Sequence, residues 1–300
     1  MYEISETRIG YPRGQTEGCG RVLAVLPYAA AGDTSQVVVT DRTPFHPVDH
    51  AWPDQPADHG MISFGPTAVP VVDTQILSVE PETGEVRIGP EVSARRGDRD
   101  RVFAVGHIVN TMDADIGEWV GRVVSLEVDV VRRAALSAAH TGCHLVAFAV
   151  NECVDGLWTK DAVRDSRGNR NFDAAALLDT RHHVGGSIDR YRLGKSLRKR
   201  GFNHPALIAD LDAYVLRAND LLAAWLASRA DVTVTGSSDR FTADRVWRCA
   251  ISPPAVMPCG GTHVSDLGQI VAIDISAQFD DETDVLTLAA SPAVTGNPSE

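Results

Sequence analysis

The chain has 300 residues, 44% of them hydrophobic and 23% charged, the balance of a globular protein with one large core or two smaller ones. Its 28 lysines and arginines face 40 aspartates and glutamates, a formal charge of −12; that argues against general nucleic-acid binding, which rests on phosphate contacts, though a local basic face can still bind. No apolar run reaches a membrane span, residues 1–30 lack a signal peptide's basic-then-apolar order, and five scattered cysteines offer no disulfide framework, so a reduced cytoplasmic setting without membrane contact is expected.

The first hundred residues predict strands. Arg21–Leu26 and Gln36–Thr40 are β-branched runs bounded by Gly, Asp and Pro. Val71–Val79 and Glu85–Ile88 follow, joined by a Pro-Glu-Thr-Gly turn. Short strands with such turns suggest a small barrel or meander. Ala94–Arg101 reads as a solvated mixed-charge loop, Arg101–Ile108 as another strand, and Trp119–Val128 as a strand-like entry to a second domain. The expected division is 1–118 and 119–300.

A long helix is predicted from about Val130 to Cys153, where Val131, Ala134, Ala135, Ala138, Leu145 and Phe148 recur at helical spacing. Arg164–Asp173 is a polar loop, and Ala174–Asp179 suits a short helix or strand. Arg181 to Arg200 is the one strongly cationic stretch in an acidic chain. A second helix is predicted from Pro205 to Ser228, with Asn203 as candidate cap and Pro205 in its first turn. Val232–Thr235, Val246–Ile251 and Ile270–Ile275 read as strands, and the small, polar tail beyond Ala289 is expected to be mobile. Helices and strands mix without regular alternation, which favours an α+β architecture.

Two spacings carry chemistry. His140 and His144 lie four apart on the long helix, which puts both rings on one face. Cys259 and His263 are also four apart, but Gly260 and Gly261 between them call for a tight loop. One thiolate with three imidazoles suits zinc, whereas magnesium or calcium would want oxygens. Taken singly, each pair has a plain structural reading: histidines on an apolar stripe are ordinary core groups with hydrogen-bond partners. His182 and His183 have no suitably spaced partner in the sequence, and no P-loop or nucleophile triad is present.

The flanks of both spacings carry a resemblance. His140-Thr141-Gly142-Cys143-His144-Leu145 and Cys259-Gly260-Gly261-Thr262-His263-Val264 resemble the paired zinc motifs of alanyl-tRNA synthetase editing domains and of the AlaX-type trans-editing proteins. The likeness includes Asp129-Val130-Val131-Arg132-Arg133 upstream and Ser265, Gly268 and Ile270 downstream. It extends to Thr43-Pro44-Phe45-His46-Pro47 and to Gln55-Pro56-Ala57-Asp58-His59-Gly60, although Trp52-Pro53-Asp54 stand where the family has glycines and the loop is about three residues longer. His183, Gly185, Arg190 and Arg192 correspond loosely to a His-Ile-Gly motif and an arginine-bearing strand, while the family's following Asp-Phe-Asp is absent.

What the resemblance implies is an α+β protein, a small N-terminal β-barrel followed by a two-layer α/β sandwich of the editing type. It implies Zn2+ held by His140, His144, Cys259 and His263, with Gln55 and Thr262 as catalytic candidates. Thr43, Asp58, Arg190 and Arg192 would contact substrate. The implied reaction is deacylation of mischarged Ser- or Gly-tRNA(Ala), with the tRNA acceptor end as partner. Two alternatives stand beside it: hydrolysis of a small-molecule aminoacyl ester or amide, which the acidic balance and altered loop favour, and a non-catalytic accessory protein stapled by zinc.

Overall fold

A computed structural model describes residues 3–28, 35–50, 54–95, 97–111 and 115–294. Trp52, Pro53, Arg96 and the end of the tail, residues 295–300, lie outside the described residues. The chain forms two compact units. The first comprises Met1–Arg133 with Thr235–Arg245 and Gly260–Thr262; the second comprises Ala134–Val234, Val246–Cys259 and His263–Glu300.

The first unit is a closed barrel. Its strands are β1 (Arg8–Ile9), β2 (Glu17–Pro27), β3 (Ser35–Thr40), β4 (Arg42–Thr43), β5 (Gly60–Phe64), β6 (Thr67–Val79), β7 (Val86–Ile88), β8 (Val102–Asn110) and β9 (Val123–Val128). Six of them pair in the order β5-β9-β2-β3-β8-β6, and β5 pairs back onto β6 to close the ring. Closure depends on β6, which is long enough to hold β5 along Thr67–Val71 and β7 along Leu77–Val79. It leaves no open edge among those six strands. Strand β9 alternates exposed and buried residues, so Val124, Leu126 and Val128 point into the core with Val22, Val38, Phe45 and Ile62. Strand β3 is buried on both faces: Val38 joins that core, while Val37 and Val39 join Leu77, Ala104 and Ile108. Trp119 and Val123–Val128, read from sequence as the entry to the second domain, thus belong with the barrel unit.

One ion pair fixes the barrel's loops. Asp58 is fully buried, and its carboxylate accepts hydrogen bonds from Arg133 Nε (2.9 and 3.1 Å), from Arg133 Nη2 and from the His46 amide (2.6 Å). The same guanidinium donates to Gln15 O (3.1 Å) and Pro44 O (2.8 Å). Three separate loops therefore converge on one cation. Asp129 caps the helix that carries Arg133, accepting from the amides of Val131 and Arg132 at 3.0 Å each.

The second unit is the α/β layer. Helix α1 (Val130–Val154) is buried along most of its length beyond Leu136. It is followed by α2 (Phe172–Ala176), β10 (Leu177–His183), β11 (Gly186–Arg192), α3 (Lys195–Lys199), α4 (His204–Ala209) and α5 (Leu211–Ala227). Strands β12 (Val232–Gly236), β13 (Arg245–Cys249) and β14 (Ala255–Pro258) form a small sheet, and β15 (Ile270–Asp280) and β16 (Val285–Val294) complete a four-stranded sheet in the order β10-β11-β16-β15. Helix α1 faces that sheet at Gly142, where a Cβ would make an ordinary van der Waals contact with Ile273 at 3.6 Å. Helix α5 packs on β15. The architecture is α+β with an N-terminal barrel.

Two elements differ from the sequence reading, and a third, the cationic stretch, gains a defined structure. The helix expected over Pro205–Ser228 is two helices, because Asp210 leaves helical geometry (φ −134°, ψ 35°), although Asn203 does cap the first through the Ala206 amide. The cationic stretch opens as a hairpin, with β11 burying Ser187, Asp189 and Tyr191 and exposing Ile188, Arg190 and Arg192. The tail beyond Ala289 continues as strand to Val294, paired with β15 as far as Ile270. Cross-strand pairing there overrides a composition with little strand preference. Among the described residues, no helix is long and apolar enough to cross a membrane.

Replacing Arg133 by Met should leave Asp58 as a buried carboxylate without its cation and cost about 3–5 kcal/mol of stability. Urea unfolding followed by tryptophan fluorescence measures it; a loss no larger than that of an exposed arginine would show that the pair does not anchor the barrel.

Candidate metal centre

In the second unit, α1 and the β13–β14 hairpin bring four donors together. His140 and His144 project from one face of α1, one turn apart, with ring centroids at 4.6 Å. The hairpin pairs Val246 with Pro258 and Trp247 with Met257, so Cys259 starts the loop just past a fixed strand end. Trp247 is fully buried, with its ring 4.9 Å from that of His144 and 5.8 Å from that of His263. Cys259 Sγ lies 3.4 Å from His140 Nε2 and 3.3 Å from His263 Nε2. One ligand atom from each of His140, His144, Cys259 and His263 lies within 4.8 Å of every other. This grouping could hold a metal ion.

Two further observations fit it. His144 Nε2 is buried and has no hydrogen-bond partner among the described residues. Burial, with His182 nearby as a second cause, lowers the His144 pKa to about 3, so the imidazole is neutral and its lone pair is free. Thr141, between the two helical histidines, sits with its hydroxyl 3.1 Å from His263 Nδ1 and accepts the Val264 amide at 3.2 Å. A ring held at Nδ1 presents Nε2 to the cluster, which is how outer partners orient metal-bound histidines.

The other predicted site residues fall as follows. In the first unit, the Gln55 carboxamide grips Thr262 twice: Nε2 donates to Thr262 Oγ1 (2.7 Å) and Oε1 accepts the Thr262 amide (3.1 Å). Asp58 is in the ion pair with Arg133. Thr43 is buried, and its hydroxyl accepts the Phe45 amide (3.0 Å) and bonds His107 Nε2 (2.8 Å). His107 Nδ1 in turn bonds Val38 O at 2.8 Å. In the second unit, Arg190 and Arg192 are exposed on β11, with Arg190 paired to Asp179 at 3.2 Å. Sequence spacing left His182 without a partner, yet the β10–β11 hairpin buries it with its ring centroid 4.5 Å from that of His140. Only the fold brings residue 182 to residue 140, so no local signal could have found it.

No protein-family model matches the chain. Curated relatives do, among them several alanine–tRNA ligases. The chain is 27% identical over 256 residues to the ligase of Parafrankia sp. (strain EAN1pec), covering 83% of this chain and 23% of the ligase. Against that of Acidothermus cellulolyticus it is 25% identical over 290 residues, 92% of this chain and 27% of the ligase. Against that of Halorubrum lacusprofundi it is 31% identical over 170 residues, 57% of this chain and 14% of the ligase. The chain is similar to part of these alanine–tRNA ligases. It spans about a quarter of the length of these ligases, or less.

Thr43→Val removes the hydroxyl that pairs His107 and Phe45, and should cost about 1–3 kcal/mol of stability without changing metal content. Burial holds His107 down to about 4 from its ordinary 6.5, so the folded chain takes this proton less readily than the unfolded one. Its contribution is complete above pH 6.5 and is lost as pH falls from there toward 4. Denaturant midpoints across that window should fall less steeply in His107→Gln; an unchanged slope would contradict the assignment.

Proposed function

We propose that the chain is a zinc-dependent hydrolase of the AlaX trans-editing type, which cleaves the aminoacyl ester of mischarged tRNA. The observation that carries the reading is the gathering of three imidazole nitrogens and one thiol sulfur within 4.8 Å of one another. With zinc–sulfur near 2.3 Å and zinc–nitrogen near 2.0–2.1 Å, a tetrahedral ion separates sulfur from nitrogen by about 3.5 Å. The separations of 3.3 and 3.4 Å around Cys259 agree with that figure before any ion draws the donors into place. Five free cysteines suit a reduced, cytoplasmic setting in which Cys259 stays available. The likeness to alanine–tRNA ligases supports tRNA as the substrate carrier.

In this reading His140, His144, Cys259 and His263 hold the ion, and Thr141 orients the His263 ring. When bound, zinc supplies Lewis-acid polarisation or an anchor for the substrate. Gln55 fixes both the amide and the hydroxyl of Thr262, so that Thr262 is presented in one orientation to the substrate. Thr43, with its hydroxyl turned to His107 and Phe45, offers substrate a wall, and Asp58 holds the His46 backbone directly and the Pro44 backbone through Arg133. Arg190 and Arg192, exposed on β11, meet phosphates of the acceptor end.

One observation favours a competing reading. Four protein donors fill a tetrahedral zinc, as in structural sites, which suits a staple without catalysis; the charge of −12 in turn suits a small aminoacyl ester over RNA. A single comparison separates the three. Ser-, Gly- and Ala-tRNA(Ala) and the free serine and alanine esters are offered to the purified protein, before and after chelation and zinc return. Trans-editing predicts deacylation of Ser- and Gly-tRNA, sparing of Ala-tRNA, and reversible loss on chelation. Turnover of free esters alone would move the substrate class, and no turnover by the zinc-loaded protein would leave the staple. Thr141→Val should weaken zinc affinity about 10–100-fold, the usual effect of losing an outer partner, as read by competition with a chromophoric chelator.

A further inference from the structure

In the barrel unit, away from the metal ligands in sequence and lined by none of them, is a cleft of about 340 Å³. Its walls carry Arg8, Arg13 and Arg42, against Glu17 and Asp239, with Cys19 on the wall of β2. Strands β1 and β4 run parallel and place Arg8 directly opposite Arg42. Like charges at directly opposed positions repel and destabilise a pair of strands. Arg8 also bridges Arg240 on its other side, so three arginines stand in a row across adjacent backbone.

The three are answered differently. Arg240 is closely matched by Glu6, at 2.5 and 2.6 Å. Arg8 reaches Asp239 only at 3.7 Å and Arg42 reaches Asp41 only at 3.8 Å, with both arginine side chains at least 60% exposed. Arg42 approaches Asp41 Oδ2, while the other oxygen, Oδ1, accepts the Arg21 amide at 2.7 Å. The Arg13 guanidinium, exposed at the end of the turn Tyr11–Arg13, has no carboxylate partner among the described residues. Arginine presents planar, forked donors that match phosphate oxygens, and a cleft of this volume admits a small ligand. Two opposed, exposed guanidiniums whose half-buried counter-ions lie 3.7 and 3.8 Å away are relieved by an anion between them.

We propose that this cleft is an anion site that takes a phosphate group through Arg8, Arg42 and Arg13, either on a small phosphorylated molecule or on a nucleic-acid backbone. It does not depend on the hydrolase reading, because neither probe below carries an aminoacyl ester. Cys19 provides a reporter on the cleft wall: it is exposed, whereas Cys143, Cys153 and Cys249 are buried.

The test measures the alkylation rate of Cys19 by iodoacetamide, read peptide by peptide by mass spectrometry, with inorganic phosphate or a short single-stranded RNA added. It also measures anisotropy of the labelled RNA across salt concentrations. Protection of Cys19 by phosphate alone assigns the small-ligand source; protection by RNA assigns the backbone source. In Arg8→Gln/Arg42→Gln, protection should vanish, RNA binding should weaken about tenfold or more, and the salt slope should shrink by about 1.4, two contacts' worth for a single strand. Arg13→Gln, on an exposed turn, repeats the test should the double variant lose its fold. Failure of both probes to protect Cys19 in the unaltered protein, or equal binding by the folded variants, would overturn the proposal.

Discussion

Four donor atoms with lone pairs are turned toward one another inside the second unit, and this is the constraint around which that unit is built. Buried polar atoms without partners are costly, and His144 Nε2 has none among the described residues. A cation at the common point would satisfy all four donors at once. The surroundings hold the donors to that point: α1 fixes two rings one turn apart, the β13–β14 hairpin delivers Cys259, Trp247 packs on two of the rings, and Thr141 takes His263 Nδ1. A cage held in this way would lose little in ordering on taking up an ion.

The barrel answers a different problem. Its chain must return through loops that carry buried polar backbone, and Arg133 satisfies Gln15 O, Pro44 O and the Asp58 carboxylate with one guanidinium. Thr43 and His107 do the same on a smaller scale, each giving the other a partner where water is absent. Of these residues, Thr43, Pro44, Asp58 and Arg133 lie in the stretches that resemble the editing family. Much of that local likeness is therefore what holds the barrel's loops.

Local periodicity predicts what is locally determined. The α1 stripe and the β-branched runs of β2, β3, β6 and β8 have a period that their own residues impose. So does the i, i+4 spacing of the metal donors, because a helix turns by a fixed angle per residue. What escapes is set by distant partners. The end of strand β16, beyond Ala289, is read as a polar tail because Ala290, Ser291, Pro292 and Ala293 have little strand character of their own, and pairing with β15 makes them strand. Asp210 interrupts the expected helix through a backbone geometry that composition does not announce. His182 gains meaning only when the β10–β11 hairpin sets it against His140. The closure of the barrel by β6 is likewise a long-range fact, invisible in any window of sequence.

The central claim is that one ion is held by three imidazole nitrogens and one thiolate sulfur, and zinc-edge X-ray absorption on the purified protein tests it most directly. The account predicts a four-coordinate first shell with one sulfur at about 2.3 Å and three nitrogens at about 2.0–2.1 Å, with the sulfur contribution absent in Cys259→Ser. A shell of nitrogen and oxygen alone, or a protein that takes up no zinc when it is supplied, would contradict it.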